Sequence, residues 1–183
     1  MNINLMLTDS GTNPQRVLME ELGQYFGTTL YYNQDDAAAA VADELWQRSK
    51  DYGVEYCTMI YRLDLSLYGG YGYAYYSVSI LKGMHDNVFL QLMYLQHESP
   101  NMRGSPVAFI HSHPHCLCHR SNDFSHGDKG VPAIMPSLNS VYLIGMNKQL
   151  QRWNKDGSEW NELGLQINDS FMIVIDLLGG NRE

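Results

Sequence analysis

The sequence predicts a single α+β domain. The chain has 183 residues, enough for one domain with its own core, and 44% of them are hydrophobic. Its first part reads as two amphipathic helices. From Glu55 onward, short apolar or alternating runs are separated by turn residues. Helices followed by a run of strands are the pattern of an α+β fold.

The first helix follows from Asn13-Pro14, an N-cap and a first helical residue. Val17, Leu18, Leu22 and Phe26 fall at helical spacing, and Gly27 is a natural stop. The second helix starts near Asp35-Asp36, whose charges suit a helix N-terminus. It runs through an alanine-rich segment to about Lys50. Its buried stripe is Ala38, Val41, Ala42, Leu45 and Ser49, and Gly53 ends the connection.

Glu55 to Leu67 alternates and is rich in Tyr, Ile, Leu and Met, as strands are. Tyr68-Gly-Gly-Tyr-Gly marks a turn, and Tyr73 to Leu81 returns as the second strand of a hairpin. The tyrosines at 68–76 then form the face of that hairpin. Val88 to Gln96 is compatible with a strand or a short helix. Pro106 to His111 reads as a buried strand that delivers its last residues to a site. Ser140 to Met146 has the same character, and Leu150 to Trp153 pairs with it through a turn at Asn147-Lys148. Phe171 to Leu178 is the last strand candidate. The sequence contains no repeat, low-complexity tract or linker.

The net charge of −8 argues against a nucleic-acid partner or an anionic membrane surface, since both require a basic face. It suits a substrate with a basic patch. No run approaches the ~20 apolar residues of a membrane helix. Met1 to Leu7 has no basic residue, so no Sec-type signal is visible. The three cysteines, Cys57, Cys116 and Cys118, are an odd number that makes no disulfide framework and points to a reducing compartment.

The chemistry concentrates between His111 and Asp128. A strand ending in His111-Ser112-His113 presents both imidazoles on one face, with Ser112 turned away. Pro114 breaks the strand directly afterwards. Asp128 adds a hard anionic oxygen, and two imidazoles with one carboxylate leave zinc an open position for water. Ser125 lies one helical turn before Asp128, at the N-cap of a helix if one begins there. His115, Cys116, Cys118 and His119 form a second metal-like cluster, or else a loop over the site.

His111-Ser112-His113-Pro114 with Ser125-His126-Gly127-Asp128 resembles the His-Ser/Thr-His-Pro…Ser-x-x-Asp signature of the JAB/MPN (JAMM) metallopeptidases. The resemblance spans roughly residues 35–155 and is closest to a branch found at the C-termini of bacterial Rhs-type polymorphic toxins. It implies a cytidine-deaminase-like mixed β-sheet flanked by helices. Outside it lie an N-terminal helical extension over 1–34 and a C-terminal strand and tail over 156–183 packed on the same domain. In that family a glutamate on a strand just after a helix is the general base, and Glu55 holds that place here; Glu98 and Glu44 are its rivals. Eleven residues, 114–124, separate His113 from Ser125, four more than the family's pattern. Strict counting selects Ser121 and Phe124 instead. An insert at His115–His119 retains Ser125 and Asp128, with Asp123 as a weaker ligand candidate.

The implied activity is amide-bond hydrolysis by a zinc peptidase or isopeptidase. His111, His113 and Asp128 hold Zn2+, Glu55 is the base and Ser125 an oxyanion donor. The expected partners are a protein or peptide substrate and a cognate immunity protein, with no nucleic acid and no membrane. The expected location is the cytoplasm, or delivery by a secretion system without a Sec signal. A scaffold module that has lost catalysis is the competing reading.

Overall fold

A computed structural model describes residues 13–83, 104–114 and 122–160 of the chain. It is one small α+β domain with a mixed sheet flanked by helices. Two helices come first: α1 (Pro14–Phe26) and α2 (Gln34–Tyr52). Asn13 caps α1 by accepting from the Gln15 amide, and Asn33 caps α2 by accepting from the Asp36 amide. Gly27 and Gly53 end them in the left-handed conformation, at φ 69° and 65°. Among the described residues, no helix is long and apolar enough to cross a membrane.

The strands are β1 (Tyr56–Asp64), β2 (Tyr73–Ser77), β3 (Leu81–Lys82), β4 (Gly104–Ser112), β5 (Ser140–Ile144), β6 (Leu150–Asn154) and β7 (Glu159–Trp160). Helix α3 (His126–Ile134) lies between β4 and β5. The sheet order is β2-β1-β4-β5-β6-β7, with β3 continuing beside β1 after β2. All neighbours are antiparallel except β4 and β5, which are parallel and joined by a crossover through α3.

The sheet separates two apolar layers. On one face Leu18, Met19 and Leu22 of α1 and Val131 of α3 meet Met59, Leu63, Phe109, Val141 and Leu143. On the other, Ala37, Ala38, Ala42, Leu45 and Trp46 of α2 meet Ile60, Ala108, Ile110, Tyr142 and Ile144. Of the expected α2 stripe, Ala38, Ala42, Leu45 and Ser49 are buried and Val41 is half-buried. Trp46 joins them because its indole N–H reaches the Met146 carbonyl at 3.1 Å.

Two strands differ from expectation. β1 stops at Asp64, whose side chain accepts from the Ser66 amide and turns Leu65–Tyr68 into a 3₁₀ turn. The second hairpin strand is broken. Ile60 faces Ser77 and Cys57 faces Leu81, so three steps along β1 oppose four along its partner. The extra residue is accommodated at 78–80, as in a β-bulge. The tyrosine run divides: Tyr76 is buried and stacks on Tyr61, while Tyr71 and Tyr73 are exposed. Gly104 lies directly under the Tyr76 ring, and a Cβ there would come within 2.3 Å of its hydroxyl. The expected elements at Val88–Gln96 and Phe171–Leu178, the rival Glu98, and Ser121 lie outside the described residues.

Candidate metal centre

β4 carries His111 as its second-last residue, and His113 follows its end. His111 is fully buried, and its ring stacks nearly parallel on Phe109, two residues back on the same face. Ser112 points to the opposite face. There its hydroxyl accepts from the Tyr56 amide at 3.1 Å. Pro114 has no N–H to continue the ladder, so the strand ends where the second imidazole leaves it.

Asp128 arrives from the other side, in the first turn of α3. Ser125 caps this helix: its hydroxyl accepts from the Asp128 amide at 3.1 Å, and its own amide donates to Asp128 Oδ2 at 2.6 Å. This reciprocal capping box fixes the carboxylate against the helix N-terminus. Two anchors hold the segment leading into it. Phe124 is buried in the core, and the Asn122 carbonyl accepts from Gln151 on β6 at 2.7 Å. Phe124, where strict counting places the aspartate, is therefore a core residue. Asp123 is exposed and stands outside the cluster. The expected His115–His119 insert lies outside the described residues.

His111, His113 and Asp128 converge into a group that can hold a metal ion. The two Nε2 atoms are 3.3 Å apart, His111 Nε2 is 3.1 Å from Asp128 Oδ1, and His113 Nε2 is 3.4 Å from Asp128 Oδ2. Burial opposes ionisation of Asp128. The charge of His111, with hydrogen bonds from His111, His113 and Ser125, outweighs it and holds the carboxyl well below the usual range. His111 Nδ1 is buried with no hydrogen-bond partner among the described residues.

Glu55 lies one residue before β1 and is buried at 7% exposure. Cys57 pairs with His111, so continuing the antiparallel register sets Glu55 level with His113 and on the same face. On the other side, the Gly83 amide donates to the Glu55 carbonyl at 2.7 Å. Burial, and secondarily the Glu55 charge, push the Cys57 thiol up to about 12. The rival Glu44 sits on α2, exposed and paired with Arg48.

Sequence reasoning missed Ser49 as more than a core residue. Its hydroxyl is shared between the Val54 carbonyl at 2.8 Å and the His113 carbonyl at 2.9 Å. A buried serine on an otherwise apolar helix stripe was the signal available.

No protein-family model matches the chain and no curated protein matches it significantly.

Proposed function

We propose that the chain is a zinc-dependent peptidase or isopeptidase with a JAMM-like site, hydrolysing an amide bond. The observation that carries this is the convergence of two imidazole nitrogens and a carboxylate at the end of β4. Zinc bound to nitrogen or oxygen at about 2.0–2.1 Å in a tetrahedron has ligand–ligand edges of about 3.3–3.4 Å. The two Nε2 atoms are 3.3 Å apart, His111 Nε2 is 3.1 Å from Asp128 Oδ1 and His113 Nε2 is 3.4 Å from Oδ2. The donor set fits zinc through His111 Nε2, His113 Nε2 and an Asp128 oxygen, which lie within 4.8 Å of one another.

When bound there, zinc supplies Lewis acidity and makes water a stronger acid. Asp128 provides the negative charge of the set, and the capping box orients it. Glu55 accepts a proton from water at its carboxylate and returns it to the leaving amine. Ser125, whose hydroxyl sits at the helix N-cap beside Asp128, is the candidate donor to the developing oxyanion. The acidic surface favours a protein or peptide substrate with basic character around the scissile bond. A role as a delivered bacterial effector with a cognate immunity protein rests on the sequence resemblance alone.

The test begins with metal analysis of the purified protein. Stoichiometric zinc is expected, and it is lost in His113→Ala. Hydrolysis is then followed by mass spectrometry on a mixed library of peptides and lysine-isopeptide conjugates. Glu55→Gln is expected to keep its zinc and lose about 10²–10⁴-fold in rate. A folded protein with no affinity for zinc would sink the enzyme reading. Full activity in Glu55→Gln would remove that residue as the base. Zinc binding without hydrolysis of any library member would favour the scaffold reading.

A further inference from the structure

We infer that Ser49 is a positioning residue for this centre, fixing the distance between the ligand His113 and the base Glu55 from the opposite face of the sheet. The inference rests on the reading above.

β1 and β4 are paired from Leu63–Gly104 to Cys57–His111. Beyond that last pair, strand-to-strand hydrogen bonding gives way to side chains. The Tyr56 amide donates to the Ser112 hydroxyl, not to a backbone carbonyl. The His113 carbonyl receives the Ser49 hydroxyl, from the last turn of α2. That same hydroxyl reaches the carbonyl of Val54, the residue before Glu55. Ser49 is fully buried. Its single proton is therefore a three-centre donor that joins the two chain segments carrying His113 and Glu55 at the point where the ladder no longer does. The backbone of Ser49 is itself held, its carbonyl accepting from Gly53 at the helix C-cap. The His113 amide donates to Ile144 on the opposite flank. His113 is thus held on both sides, and Ser49, beside the Ser112–Tyr56 pair, ties its carbonyl to the Glu55 segment.

Outer-shell groups of this kind typically change metal affinity by about 10–100-fold. Titration with Co2+ alone provides both an affinity and a ligand-field spectrum. Ser49→Ala is expected to weaken Co2+ binding at least tenfold and shift the visible bands. The control is Thr58→Val. It removes another buried hydroxyl, which donates to the Val78 carbonyl at 2.8 Å. Its expected affinity and bands are those of the wild type, at a matched loss of thermal stability. Equal affinities in the two variants would overturn the inference while leaving the metal centre standing. Co2+ binding that is absent from the wild type, or unaffected by His111→Ala, would overturn the centre and the inference together. If Ser49→Ala does not fold, Ser49→Thr carries the test. It keeps the hydroxyl and is expected to bind Co2+ as the wild type does, and a tenfold loss there would overturn the role given to the hydroxyl.

Discussion

Two polar clusters lie on this sheet, and they resolve burial in opposite ways. Near the start of β5, Arg152 donates to both carboxylate oxygens of Asp35 at 2.8 and 2.9 Å. Tyr142 donates to the same carboxylate, and Gln34 donates to Tyr142 at 2.9 Å and to Ser140 at 2.6 Å. Burial and then the Asp35 charge push the Tyr142 hydroxyl above its ordinary value, which keeps it protonated as a donor. On the opposite face of the sheet, two imidazole nitrogens and a carboxylate face one another. The first cluster pairs its charges internally, whereas the second gathers groups that can hold a cation. Buried polar groups are costly unless matched, so a set matched only by an added ion points to function and a self-matched set to architecture.

Breaking the first cluster should therefore cost stability and spare the metal. Asp35→Ala leaves Arg152 and Tyr142 facing each other. A loss of about 1.5–3 kcal/mol is expected in urea unfolding, the range for hydrogen bonds to charged groups, with unchanged zinc content. A smaller cost, or a loss of zinc, would erase the distinction between the two clusters. His113→Ala should do the reverse. The metal-free variant is expected to stay within about 1 kcal/mol of metal-free wild type, well inside the range of ordinary substitutions, because its ring nitrogen has little to lose there without a metal.

Ser125→Ala tests a residue that belongs to both architecture and site. Loss of the N-cap should cost about 1 kcal/mol. Ser125→Gly should restore most of that stability without restoring hydrolysis, if the hydroxyl also serves the oxyanion. Recovery of both would reduce Ser125 to a cap.

The smallest expected signal is at Cys57. Its thiol, pushed up to about 12, stays protonated at pH 8, so an alkylating reagent should leave it unmodified in the native protein and modify it in urea. The sign of the linkage follows. The unfolded thiol ionises from about pH 8.5 and the folded one only near 12, so Cys57 erodes stability as pH rises through that interval. Cys57→Ala should flatten that alkaline slope. An unchanged slope would place its origin elsewhere.

Much of this was legible in the chain. Asn13-Pro14, Gly27 and Gly53 marked helix ends because caps are local chemistry, and Val-Ala-Phe-Ile marked the central strand because it is buried on both faces. The parallel pairing of β4 with β5 was not legible, because it depends on a crossover whose direction no periodicity records. The break after Ser77 escaped notice because one inserted residue hardly disturbs an alternating pattern. His111, His113 and Asp128 stood out through residue type and spacing. The Asp35–Arg152–Tyr142 network and the Ser49 link did not, since their members come from distant segments and gain meaning only when folded together.

The alanines of α2 have a further consequence. Ala37, Ala38 and Ala42 are fully buried, and a small residue, Ala108, lies beneath them on β4. Their methyl groups form a spacer between helix and sheet, and its thickness sets how far the far end of the helix stands from the strand that bears the imidazoles. A designer wishing to retune this centre could leave its ligands alone and change the shim.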